Sequence, residues 1–159
     1  MSVVIDNDWF SATFPSRVEV AEEATDVAFA RTVDFSAELA PFGLFSIRVT
    51  QMPLDPFLAV GALRWVQTFG DHWPQKFAAF APQVMRDQAS TPRGRATREL
   101  DLRLDYEGPC SAYVRLFAHS DGDVGRIVVA AAVVGSTTTE EETARVFLSS
   151  VNPRWVPAG

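Results

Sequence analysis

The sequence predicts an α+β fold: an antiparallel β-sheet of about six to eight strands with a central helix and a C-terminal helix packed on it, layered as an α/β/α sandwich. Three observations carry that expectation. Apolar residues alternate at period two through most of the chain, the rhythm turns helical at 54–69 and again from Thr139 onward, and Gly, Pro and Asp clusters separate the strand-like runs.

In chain order, "WFSATFP" at 9–15 and "RVEVAEE" at 17–23 read as two short strands around a tight bend at Pro15. "VAFARTVDF" puts Val27, Phe29, Val33 and Phe35 on one face, with Arg31 as the charged exception on that face. "FGLFSIRVTQMP" continues the pattern through Phe45, Ile47 and Val49 after a turn at Pro41, which completes an antiparallel meander. At "LDPFLAVGALRWVQTF" the period becomes helical: Asp55 supplies a cap, Pro56 suits the first turn, and Ala59, Ala62, Leu63, Val66 and Phe69 form the stripe. Gly70 and Pro74 interrupt this helix, His72 helps to end it, and Trp73, Phe77, Phe80 and Val84 extend the helical pattern by another turn or two, which Pro82 closes.

"RELDLRLDY" alternates Leu100, Leu102 and Leu104 with charged residues, as a strand wet on one side does. A turn at "EGPCS", which would expose Cys110, returns the chain through "AYVRLFAH". "SDGDVG" then turns it into "RIVVAAAVV", an unbroken apolar run suited to a central strand buried on both faces. Finally, Thr139 with Glu142 makes a capping box, and Ala144, Phe147, Leu148 and Val151 form the stripe of a closing helix. The whole reads as one domain over residues 1–159, with a core at 9–151 and a proline-punctuated tail at 152–159.

Bulk composition excludes several classes. The 159 residues are 47% hydrophobic and 21% charged, the range of a folded globular domain. A net charge of -6 opposes general nucleic-acid binding, which draws its affinity from Lys and Arg on phosphates. Lys76 is the single lysine, so arginine is the chain's default cation. One cysteine allows neither an internal disulfide nor a multi-cysteine metal site. No basic-then-apolar leader opens the chain, and the apolar run at 127–134 is too short to span a bilayer. These features lead to the expectation of a cytoplasmic protein with no membrane and no nucleic-acid partner.

Phe14 and Pro15 ending an early strand, Gly94 and Arg95 opening the second group of strands with Glu99 displaced from its usual place, and Phe147, Leu148 and Ser150 in the closing helix together resemble the PsbP-like fold. That fold is shared by the photosystem II protein PsbP, a Ran-binding nuclear-import factor and small bacterial proteins of the LpqN and DcrB types. The resemblance covers nearly the whole chain and implies the fold. It transfers no functional residue, because neither the metal-linked residues of the photosystem protein nor the acidic surface of the Ran-binding one has a counterpart motif here. The secreted relatives' signal or lipobox cysteine is also missing.

Catalytic and cofactor motifs are absent: no phosphate loop, no Gly-rich dinucleotide loop, no HExxH, no GxSxG, and only half a calcium loop in "SDGDVG". No catalytic residue, metal or cofactor is expected. Cys110 and His119 would stand about 30 Å apart along one strand, too far for a thiol dyad. Two candidate sites remain. Arg93, Arg95 and Arg98 in "STPRGRATREL", joined across the sheet by Arg31 and Arg115, offer guanidinium forks to an acidic ligand. Strand parity separates them: Arg95 shares the wet face of Glu99, whereas Arg98 shares the inward face of Leu100 and needs a partner or a cleft. Tyr113, Phe117 and Trp155 form the second candidate, an aromatic patch for a protein partner, with a homodimer the simplest case. The function expected is therefore a non-catalytic binding or accessory module acting through a patch or cleft. The alternative is a small-molecule pocket or enzyme in which Arg98, Arg31 or Arg115 holds an acidic ligand.

Overall fold

A computed structural model describes residues 2–23, 30–92 and 95–155. Val27, Phe29 and Arg93 lie outside the described residues. The strands are β1 (Val3–Asp6), β2 (Phe10–Phe14), β3 (Glu19–Glu23), β4 (Arg31–Glu38), β5 (Gly43–Pro53), β6 (Gln83–Ser90), β7 (Ala96–Asp105), β8 (Pro109–Asp121), β9 (Val124–Gly135) and β10 (Asn152–Pro153). The helices are α1 (Leu54–Val60), α2 (Ala62–Lys76) and α3 (Thr138–Ser150). A seven-stranded antiparallel sheet runs in the order β3-β4-β5-β9-β8-β7-β6, and a three-stranded sheet runs β1-β2-β10. The fold is the α+β sandwich that the alternating pattern predicts.

Strand parity builds two cores. On one face Val33, Phe35, Phe45, Ile47, Val128 and Ala130 meet Phe10 and Phe14 of β2 and Ala144 and Phe147 of α3. On the other, Leu100, Leu102, Val114, Leu116, Ile127 and Val129 meet Phe57 of α1 and Val66 of α2. Strand β9 sits mid-sheet and feeds both cores from alternate residues, which explains its unbroken apolar run.

Several elements differ from expectation. The central helix breaks at Gly61, whose φ of 95° is open to glycine, and not at Gly70 or Pro74, which both lie inside α2. Its aromatic stripe is Trp65, Phe69, Trp73 and Phe77 at four-residue spacing, so Ala59 and Leu63 stay exposed and His72 sits mid-helix rather than at its end. Residues 83–90 form strand β6 instead of ending a helix; all eight are exposed at the sheet edge, so no burial pattern marks them. The capping box of α3 is Thr137 with Glu140, two residues earlier than Thr139 with Glu142: Thr137 Oγ1 accepts from the Glu140 backbone N–H at 3.2 Å. Pairing also extends past the expected 9–151 core, since Val3–Asp6 and Asn152–Pro153 flank β2. Cys110 starts β8 rather than lying exposed in a turn. It is 7% exposed, and burial pushes its thiol pKa up.

Candidate functional site

Helix α2 packs on β7 and β8 and leaves the same face of β4 and β5 uncovered. A groove follows along its edge, in two lobes of about 700 and 610 Å³ that share Ser36, Ser46, Trp73 and Lys76. One wall is the aromatic stripe Phe69, Trp73 and Phe77, with Trp73 and Phe77 centroids 5.8 Å apart. The floor is Val129, Ala131 and Val133 of β9, with the polar face of β4 and β5 opposite the helix. Ser36 and Ser46 are cross-strand partners, and neither hydroxyl is hydrogen-bonded among the described residues. Lys76 stacks on Trp73 with Nζ 4.8 Å from the ring centroid and has no carboxylate partner among the described residues. Arg17 at the outer lobe likewise has none, whereas Asp34 and Arg48 in the inner lobe pair with each other at 2.8 Å. Two hydroxyls without a protein partner and the Lys76 ammonium stand beside an aromatic wall, with Arg17, Glu19 and Glu38 around the outer lobe, an arrangement suited to a ligand with an apolar body and an anionic end near Lys76.

The residues expected from sequence lie elsewhere and are mostly engaged. Arg98 does point inward, crossing α2: its Nε and Nη2 each reach Asp87 at 2.8 Å, and its Nη1 donates to Asp71 Oδ1 and to the Gln67 carbonyl, both at 2.8 Å. The Arg98 fork and its charge hold the Asp87 carboxyl below its ordinary value. A Cβ at Gly70 would stand 2.5 Å from Arg98 Nη1, so glycine inside α2 makes room for the guanidinium. Arg115 lies on the opposite face, paired with Asp101 at 2.7 Å and Glu99 at 3.7 Å. Arg31 is 55% exposed, paired with Glu22 at 2.7 Å and 5.8 Å above the Trp9 ring. Arg31, Arg98 and Arg115 therefore do not converge on one pocket.

Tyr113, Arg115 and Phe117 line a cleft of about 570 Å³ between α3 and β8. Its charges are internally matched: Arg86 with Glu99, Arg145 with Glu142, and the Tyr113 hydroxyl donating to Glu141, which also accepts from Ser111 at 2.9 Å. Burial first, and the Glu141 carboxylate second, raise the Tyr113 pKa. Tyr113 and Phe117 pack half-buried against the core under α3 rather than forming an open patch. The structure instead brings Phe117, Trp155, Arg95 and His119 together: the Arg95 guanidinium lies 5.4 Å from the Phe117 ring and 5.3 Å from the Trp155 ring. Arg95 is thus half-buried between rings, not solvated in the turn.

Sequence reasoning missed the α2 groove. Two signals for it were present: Lys76 is the only lysine, and Asp34, Ser36, Ser46 and Arg48 give two neighbouring strands a polar face.

This arrangement of a seven-stranded antiparallel sheet with helices on it is a PsbP-like fold. Among solved structures, the chain is similar to the cyanobacterial PsbP (CyanoP) of Synechocystis sp. at 11% identity, covering 97% of this chain and 92% of that one with a TM-score of 0.59. It is also similar to LpqN, a protein involved in cell envelope biogenesis of Mycobacterium tuberculosis, at 12% identity, 98% and 91% coverage and a TM-score of 0.53. No protein family and no curated protein matches the chain by sequence. Among the described residues no helix is long and apolar enough to cross a membrane, and no group of three metal-ligating side chains comes together.

Proposed function

We propose that this protein is a cytoplasmic, non-catalytic binding or accessory module that holds an amphipathic, anion-bearing ligand in the groove beside α2. One observation carries the reading: an aromatic wall faces the Ser36 and Ser46 hydroxyls, which have no hydrogen-bond partner among the described residues, with Lys76 beside them at the junction of both lobes. The α3 cleft is the weaker choice because its guanidinium and carboxylate groups already satisfy one another.

The aromatic sulfonate 8-anilinonaphthalene-1-sulfonate has the chemistry the groove calls for. It is expected to bind the native protein with saturable fluorescence enhancement. Lys76→Glu should weaken it about tenfold, since a charge reversed within about 4–5 Å at the surface changes the interaction by roughly 1–2 kcal/mol. Arg145→Glu in the α3 cleft is expected to leave binding unchanged. Loss of binding in Arg145→Glu but not Lys76→Glu would overturn the assignment.

A further inference from the structure

We propose that the cleft between α3 and β8 binds a zwitterionic small molecule, a free α-amino acid with an apolar side chain. Its carboxylate seats on the Nε–Nη2 edge of Arg115, and its ammonium group is met by Glu142 and Glu99. The cleft lies on the sheet face opposite the α2 groove, and binding there is independent of binding in the groove.

Register and helical spacing assemble the cleft. Glu99 of β7 is the cross-strand partner of Arg115 of β8, and Asp101 is the partner of both Arg86 and Tyr113, so these side chains stand on one face of the sheet. Across from them, Glu141, Arg145 and Leu148 recur at the three- and four-residue spacing that puts them on one side of α3, with Glu142 and Ser149 beside them. The space between is about 570 Å³, within the range of small-molecule sites.

Arg115 has a donor edge to spare. Arg48 and Arg98 each spend Nε and Nη2 on a single carboxylate, Asp34 and Asp87. Arg115 does not. Its Nη1 donates to Asp101 at 2.7 Å and to the Val114 carbonyl at 3.1 Å, Glu99 stands 3.7 Å from Nε, beyond hydrogen-bond range, and Nη2 has no partner among the described residues. Glu99 is drawn instead to Arg86, which Gln88 also holds. At 17% exposure the Arg115 side chain lines the cleft with its two-pronged edge unmade, and a carboxylate is the group that fits that edge.

The charges around that edge select a zwitterion. Arg86, Arg115 and Arg145 are balanced along the lining by Glu99, Glu141 and Glu142. A ligand bearing only a carboxylate would face Glu99 and Glu142 without an answering charge, whereas one with its own ammonium group turns both into partners. Glu141 is not available for this, because its two oxygens accept from Ser111 and Tyr113. Glu142 is available: its pair with Arg145 is exposed on α3, the kind of ion pair that exchanges with water at little cost. The Tyr113 and Phe117 rings and Leu148 supply the apolar surface for the ligand's side chain.

Backbone amide NMR of the full chain tests the site with three probes at constant ionic strength. These are L-leucine, isocaproate, which keeps the carboxylate and the apolar body, and isoamylamine, which keeps the amine. L-leucine is expected to shift Phe117, Glu141, Leu148 and Ser149 saturably by about 10 mM, with each singly charged analogue weaker by about tenfold or more, the loss of one charge-assisted contact. Arg115→Lys keeps a charge for Asp101 but not the fork, and should weaken L-leucine about tenfold. Glu142→Gln, at an exposed position of α3, should weaken L-leucine and leave isocaproate no weaker. Absence of a saturable shift with L-leucine, isocaproate binding as tightly as L-leucine, shifts confined to Trp73 and Lys76 of the α2 groove, or L-leucine binding unchanged in both variants would each overturn the proposal.

Discussion

Arg98→Leu is expected to destabilise the protein by about 2–3 kcal/mol, read as a lower denaturation midpoint with an unchanged slope. The substitution removes a two-pronged contact with Asp87 and the donors to Asp71 and the Gln67 carbonyl, at a side chain only 9% exposed. Both carboxylates keep access to water, at 65% exposure for Asp71 and 43% for Asp87, so the loss falls short of that for a fully buried pair. Gly70→Ala should act in the same direction. Alanine is the better helix former by about 1 kcal/mol, yet its Cβ would occupy the place of Arg98 Nη1. A stabilised Gly70→Ala protein would show that Arg98 does not cross the helix there.

His119 should make stability depend on pH. Its folded pKa of about 4 lies below the ordinary 6.5, so the unfolded chain takes up the proton first as pH falls. Stability from this group is intact above about pH 6.5 and is lost progressively as pH falls toward 4. Between pH 7 and 5 the loss is roughly 2 kcal/mol. His119→Gln keeps a donor for the Arg154 carbonyl and should flatten that part of the profile. An equal slope in the variant would assign the acid sensitivity to other groups.

The parts of the fold legible in the sequence are those where burial is one-sided. Leu100, Leu102 and Leu104 announced β7, and the run at 127–134 announced a strand between two cores. Strand β6 was not legible, because an edge strand with all residues exposed has no apolar rhythm. Gly70 misled for a related reason: its lack of a side chain serves a neighbour 28 positions on, Arg98, rather than the helix end. Arg98 itself was readable as inward by parity, and carboxylate partners now account for it. The α2 groove depends on how far one helix reaches across a sheet, and the grouping of Arg95 with Phe117, His119 and Trp155 depends on the register of β7 and β8. Neither quantity is local in sequence.

Backbone amide NMR during a titration with 8-anilinonaphthalene-1-sulfonate tests the groove assignment most directly. The predicted result is a saturable set of shifts at Ser36, Ser46, Phe69, Trp73, Lys76 and Ala131, the residues that line the α2 groove. Shifts confined to Tyr113, Arg115, Glu141 and Leu148 would place binding in the α3 cleft and contradict it.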